Sequence, residues 1–456
     1  MFLNYTLRIF KNIFFLIFFF VIFYLVNFKF GNLTNLFQNN TQLFFNFVLF
    51  LLTVIYFVSF YLSKKTNLII FISIFLFYVF VLFLEAFLQY NSLKFVKGDF
   101  EEKKKLYKSL TGNTFDDRSK FEFYKNLKKN YPKLSVPITV GMVSSNHIFK
   151  KTNIFPLSGM SNTKTVHCNE NGYFTNYDSD RFGFNNNDLK WDTKNKNKVI
   201  LLGDSFVHGA CVFRKDSISG LLENSNSNIT FYNLAYSEHG PLEQLATLKE
   251  YSGIIEPSYI IWFYYEGNDL ADLSGALKNK FMIRYLDDIN YSQDLPNNVN
   301  LADQIYDNIL SEQLNNQKIE FNSYTFNYKS LIKLSYLRKV FLNSFIKPKV
   351  PIDKFEQITK QISELSKKYS AKLIVVYLPD FSRYHFKKHN DKNFLNYERI
   401  LNIFEKYEID IVDINKELFL TLENKKSLFP FEKFGHYNEK GYKLITQILN
   451  EKIFNN

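Results

Sequence analysis

Three short stretches of this 456-residue chain carry side chains that could do acyl chemistry. The first, Gly203-Asp204-Ser205-Phe206, ends an apolar run, so Ser205 stands where a strand gives way to the next helix. Free amides and the dipole at a helix start favour developing negative charge, which suits a serine nucleophile. The ordinary job of a Ser in that place is to cap the helix. The second, Glu266-Gly267-Asn268-Asp269, follows another apolar run. An amide side chain just past a strand end can donate to an oxyanion, and losing such a donor costs about 3 to 4 kcal/mol. The same letters also make a common turn. The third, His436-Tyr437-Asn438-Glu439-Lys440-Gly441, lies near the C-terminus. Asn438 can cap the last helix, which places His436 just before it as a base for Ser205. A lone His in such a place is more often structural.

The elements that must position these residues are legible as a series of short apolar runs. They start at Lys198, Ile229, Tyr259, Lys372 and Ile409. Continuous apolar runs of that length suit strands buried on both faces. Helical stretches separate them, including 242–251 and 355–369, and this alternation predicts an α/β domain with a parallel sheet. Residues 270–350 are too long for a simple crossover and read as a mainly helical insertion, a candidate lid. Residues 93–195 read as a linker and lead-in. They open with a solvated helix around Glu101 to Lys105, and short strands are expected at Asn169–Phe174 and Arg181–Asn185.

In this order the three stretches resemble the SGNH (GDSL-like) hydrolase family, over roughly residues 196–452. The matched positions are Gly203, Asp204, Ser205 and Phe206, then Gly267, Asn268 and Asp269, then His436, Asn438 and Gly441. The lead-in from Asn176 through Gly183 and Phe184 resembles that of bacterial membrane-linked members. The resemblance implies a three-layer α/β/α (flavodoxin-like) fold and attack by Ser205 on an ester carbonyl. The implied oxyanion donors are the Ser205 amide, an amide of Glu238 or Gly240, and the Asn268 side chain. There are two departures. Glu238 stands where a Gly is expected, bringing a carboxylate toward an oxyanion. Phe434 and Lys433 fill the places that usually hold the acid partner of the histidine. The expectation is therefore a Ser205–His436 dyad with a backbone carbonyl orienting the ring, in preference to a displaced carboxylate such as Glu432. His208 and His239 match no family position and are expected in the pocket or at the surface.

Three apolar runs open the chain, 12–28, 43–62 and 68–88. Each is about long enough to cross a hydrocarbon core of roughly 30 Å at 1.5 Å per residue, so residues 1–92 read as a membrane domain of three transmembrane helices. Phe and Tyr crowd this part. No small-residue cleavage site follows the first run, which reads as a retained anchor. Glu85 inside the third run should sit near the interface or face a neighbouring helix. Arg8, Lys11, Lys64 and Lys65 favour a cytoplasmic N-terminus and an exported C-terminal domain, although Lys94, Lys97 and Lys103–Lys105 pull the other way. The multi-pass protein is thus expected in a bacterial cytoplasmic membrane. In an exported domain Cys168 and Cys211 can form a disulfide, which Cα atoms beyond about 7 Å would exclude.

The formal net charge is +12, but the lysines are scattered and form no basic helix or stacking platform, so nucleic acid is not expected as a partner. Two cysteines without metal-ligand spacing argue against zinc, and no cofactor is expected. The reading is acyl-ester chemistry on a carbohydrate or lipid-linked glycan at a membrane lipid surface. Two alternatives stay open: acyl transfer from a membrane acyl-donor protein, and a catalytically silent glycan-binding scaffold.

Overall fold

A computed structural model describes residues 54, 62–145, 152, 154–315, 326–345, 350–385 and 396–455. The lead-in contributes a small sheet of β1 (Leu134–Ser135), β2 (Lys164–Val166) and β3 (Asn176–Asp178), in that order. The five apolar runs become β4 (Lys198–Leu202), β5 (Thr230–Asn233), β6 (Tyr259–Tyr265), β7 (Lys372–Leu378) and β8 (Asp410–Asp413). They form one sheet in the order β5-β4-β6-β7-β8, with every pair parallel.

Strand side chains alternate between two faces, and both faces of this sheet are buried. Ile200, Leu202, Ile260, Trp262, Val375 and Tyr377 enter one core, and Val199, Leu201, Ile261, Phe263, Ile374 and Val376 enter the other. That double burial is why the runs lack the polar alternation of a half-exposed strand. The main helices, in chain order, are α1 (Lys64–Thr111), α2 (Ser205–His208), α3 (Ile218–Ser225), α4 (Pro241–Ile255), α5 (Asp269–Ala276), α6 (Lys280–Asp287), α7 (Val299–Asn315), α8 (Ser335–Phe345), α9 (Ile352–Lys368), α10 (Tyr397–Lys406) and α11 (Glu439–Leu449). Helices α4 to α7, α9 and α10 cover the first face. Helices α3 and α11 cover the second, α11 through Tyr442, Ile445 and Leu449 at helical spacing. The result is the expected three-layer α/β/α domain.

The described residues from Phe100 onward, apart from 326–345, form one compact unit, and residues 62–99 with 326–345 form a second. From Phe100 on, the stretch expected as linker and lead-in therefore packs with the sheet. Its strands are Leu134–Ser135, Lys164–Val166 and Asn176–Asp178, while Asn169–Phe174 and Arg181–Asn185 are irregular turns. Local side chains take the backbone there: Asn169 Oδ1 accepts from the Gly172 amide at 2.9 Å, and Asp180 Oδ1 from the Phe182 and Phe184 amides at 2.9 Å each. The insertion is helical as expected but divided between the units. Up to Asn315 it buries its apolar residues in the first core, with Ile305, Tyr306 and Ile309 of α7 inaccessible, so this half serves as core packing.

The helix among the described residues long and apolar enough to cross a membrane is α1, which lies in the second unit up to Asp99 and has a mean hydropathy of 2.8 over 18 residues. It contains the third apolar run, and Ile72, Leu76, Phe77, Phe80 and Phe83 are exposed along it. The first run, and the second apart from Val54 and Leu62, lie outside the described residues. Glu85 is fully buried and faces a neighbouring helix: its two oxygens each accept at 2.8 Å, from the Tyr336 and Leu337 amides at the start of α8.

Candidate active site

Strand order 2-1-3 places β4 beside both β5 and β6, and ligands of open α/β sheets bind at the carboxyl ends where such an order reverses. Ser205 follows β4 and Asn268 follows its neighbour β6. At the first of these ends the cap of α2 is Asp204, whose Oδ1 accepts from the Phe206 amide at 2.9 Å. The capping role that competes for a serine here is thus taken, and the Ser205 hydroxyl is free to point at His436. Ser205 Oγ lies 2.8 Å from His436 Nε2.

His436 stands in the loop before α11, where Asn438 caps the helix by accepting from the Gly441 amide at 2.9 Å. Asn438 Nδ2 also donates to the Ser427 and Phe429 carbonyls at 3.0 Å each, fixing the loop on both sides. The imidazole packs 4.7 Å from the Phe206 ring. Its partner on the far side is a residue that the sequence reasoning missed. Glu170 Oε1 lies 3.0 Å from His436 Nδ1, and Glu170 Oε2 accepts from the His436 amide at 2.7 Å. A carboxylate at Nδ1 puts the ring proton there, leaving Nε2 to accept from the Ser205 hydroxyl. Gly435 makes this approach possible, because a Cβ there would stand 2.7 Å from Glu170 Oε2.

The expected dyad with an orienting backbone carbonyl is corrected by this geometry, which is a complete Ser205–His436–Glu170 chain. Glu432 is not the acid either, since its Oε1 accepts from Asn424 Nδ2 at 2.8 Å. Lys433 pairs with Glu102 at 2.8 Å, and Phe434 is 68% exposed. Burial alone would lower the His436 pKa, but the charge and hydrogen bond of Glu170, helped by Asp204, raise it above its usual value. Burial pushes Glu170 up, and His436 more than offsets this, holding it below the usual carboxylate range. The two side chains remain 23% and 28% exposed, so the pair is reachable from solvent.

Among the expected oxyanion donors, Asn268 caps α5 with its backbone, and its side chain faces the Asp204 carboxyl and stabilises the charged form. Burial still lifts Asp204 to about 6. Asp269 is buried and accepts from the Tyr265 amide at 2.9 Å, tying the start of α5 back to β6. Gly203 allows the close turn out of β4, where a Cβ would meet Val207 at 2.6 Å, and at Gly267 a Cβ would meet the Tyr265 ring at 2.4 Å. Glu238 has a left-handed φ of 63°, and its carboxylate lies 3.4 Å from the Gly141 amide. Gly240 begins α4 and packs against Asp272, where a Cβ would stand 2.9 Å from the Asp272 Cβ.

His208 and His239 are buried, which excludes the surface half of the expected pocket or surface positions. His208 Nδ1 lies 3.0 Å from Ser237 Oγ and Nε2 3.0 Å from the Tyr177 hydroxyl. Burial lowers each of these imidazoles to about 3, which keeps them neutral. Cys168 and Cys211 form a disulfide with Cα atoms 4.9 Å apart. The Cys211 sulfur lies beside Glu170 and His436, and its bond to Cys168 removes it as a thiolate ligand.

No protein-family model and no curated protein matches this chain. It is similar in structure to lipolytic and acylhydrolase proteins. A lipolytic protein of the G-D-S-L family from Desulfitobacterium hafniense aligns over 56% of this chain and 99% of its own, at 14% identity and a TM-score of 0.32. A lipase/acylhydrolase from Enterococcus faecalis aligns over 56% and 95%, at 11% identity and a TM-score of 0.32. An acetyl xylan esterase aligns over 56% and 100%, at 12% identity and a TM-score of 0.33. At this level of likeness the reading of function rests on the chain's own residues.

Proposed function

We propose that this chain is a serine esterase of SGNH type that forms an acyl-enzyme on Ser205. The observation that carries the reading is one continuous hydrogen-bonded path from Glu170 through His436 to Ser205. Ser205 Oγ attacks the ester carbonyl carbon while its proton passes to His436 Nε2. The imidazolium so formed is stabilised by Glu170 and returns the proton to the departing alcohol. Water activated by the same imidazole then releases the acyl group. The carbonyl oxygen, negative in the intermediate, is taken to lie against the Ser205 amide, the Asn268 side chain and an amide of the Glu238–Gly240 turn.

The finer reading is an acyl ester, acetyl in the first instance, on a carbohydrate or lipid-linked glycan outside a bacterial cytoplasmic membrane. The resemblance and the apolar face of α1 support it, and a disulfide suits an oxidising compartment. A fluorophosphonate should label Ser205 in the full chain and fail to label Ser205→Ala. That variant should lose ester turnover by several orders of magnitude while keeping its unfolding transition. Turnover that survives the substitution removes Ser205 as nucleophile and returns the scaffold alternative. Product analysis with sugar acceptors then separates hydrolysis from transfer, and protease added to intact spheroplasts tests the exported arrangement.

A further inference from the structure

Glu170 lies in no helix or strand, yet its carboxylate must meet two donors of His436 at once. The loop that carries it is closed on itself: the Cys168 carbonyl accepts from the Thr175 amide at 3.0 Å, and the His167 amide donates to the Thr175 carbonyl at 2.9 Å. Closure shapes the loop without aiming it. Ties from Asn169 and Gly172 to Asp116, and from Tyr173 to Glu439, hold its far side, and two more lead to the turn that follows α2. Cys168, two residues before Glu170, is bonded to Cys211, and Asn171, the residue after it, donates from Nδ2 to the Cys211 carbonyl at 3.0 Å. Ligand atoms of Cys211, Glu170 and His436 all lie within 4.8 Å of one another. Cys211 itself holds a left-handed φ of 60°, a conformation that persists only where the surroundings impose it.

We propose that the Cys168–Cys211 disulfide and Asn171 are positioning residues that hold Glu170 against His436, so that the base of the site is fully assembled only in the oxidised chain. This rests on the esterase reading above. A dithiol reductant would open the bond by two thiol–disulfide exchanges: it loses two electrons and two protons and closes to its own disulfide, while Cys168 and Cys211 become thiols. The loop would then keep its internal hydrogen bonds and lose its covalent tie to the Ser205 side of the site.

The test uses the full chain in mild detergent and a chromogenic acetate ester. Reduction, or the paired change Cys168→Ser with Cys211→Ser, should lower kcat about 10- to 100-fold and leave KM within about two-fold, with reoxidation restoring the reduced chain, in line with loss of an orienting acid. In a Glu170→Gln background the same pair of changes should cost less than about two-fold, because the residue being positioned is already gone. Equal losses in both backgrounds would show a general stabilising bond and overturn the proposal, as would unchanged kcat after reduction. A second readout needs no turnover: in histidine-labelled chain, with the signal assigned by His436→Gln, the imidazole should titrate at lower pH once reduced. Glu170 and Asp204 are the acids facing that ring, with Lys103 near Glu170, and Glu170 is the one that the bond controls. An unchanged titration overturns the proposal. A chain that hydrolyses no ester in either state counts against the esterase reading alone, and the titration still decides this one.

Discussion

Glu170 makes two different contacts with His436, and they separate orientation from charge. Oε2 holds the backbone amide and Oε1 the ring, so a Gln of the same size keeps the shape while losing the charge and presenting a donor at one of the two places. In a serine triad, replacing the acid by its amide lowers kcat by up to about 10⁴ through the wrong ring tautomer. Glu170→Gln should lower kcat by about 10² to 10⁴. The pH profile carries the sign. His436 acts as a base only when neutral, so kcat/KM rises with pH through its pKa, which Glu170 and Asp204 hold above 6.5. Removing the charge should move that acid limb to lower pH while the plateau falls. Glu432→Gln, whose carboxylate is occupied with Asn424, should stay within about two-fold of the parent. The nucleophile, the base and Asn268 stood out in the sequence because each follows an element end with small residues around it. Glu170 did not, because contact across the fold places it and no spacing announces it. The signal available was indirect: pairing Cys168 with Cys211 brings residue 170 beside the Ser205 turn.

Among the elements, the parallel strands were legible because burial on both faces leaves mostly apolar residues at their centres, whereas the lead-in is shaped by side chains bonding the backbone. Asp180 is the clearest case. It is fully buried and accepts from the amides of Phe182 and Phe184, from Asn186 Nδ2 at 2.9 Å and from Trp191 Nε1 at 2.8 Å. Asn186 in turn pairs with the Asn233 backbone at 3.0 Å in both directions, seating the turn on the end of β5. Gly183 permits the turn, since its φ is 89° and a Cβ would stand 1.9 Å from the Gly159 carbonyl oxygen. None of this has a period that a sequence pattern could reveal. Each buried donor left unpaired costs about 1 to 3 kcal/mol, so Asp180→Ala should destabilise the domain by about 3 kcal/mol or more in denaturant unfolding. Asp178→Ala, at an exposed position, should change it by less than about 0.5 kcal/mol. Equal effects from the two would remove Asp180 as the organiser of the lead-in.

Across the whole molecule, buried acids gather between the site and helices α4 and α5. Glu243 and Asp272 are each pushed to about 8, first by burial and then by neighbouring carboxylates, and Asp269 is raised well above its usual value for the same reasons. One oxygen of each makes no hydrogen bond among the described residues. A carboxyl whose folded pKa is raised binds its proton more tightly in the folded chain. It therefore contributes stability below its unfolded pKa near 4, and that stability is lost as pH rises through the folded value. The buried histidines oppose this: His208 and His239, lowered to about 3, and His167, also lowered, make stability rise with pH until about 6.5. Above that pH these three imidazoles are neutral in both states, and the acids slope together with His436, whose raised pKa also makes stability fall as pH rises. Lys120 and Lys249, lowered to about 8 by burial, begin to oppose them at the upper end. The clean window is thus pH 6.5 to 8, where thermal stability should fall with rising pH, by about 1 to 3 kcal/mol across the window. Asp272→Asn and Glu243→Gln should each flatten the fall and raise the unfolding temperature at pH 8 more than at pH 6.5. A parent chain equally stable at both pH values would mean that these carboxyls ionise without cost in the fold.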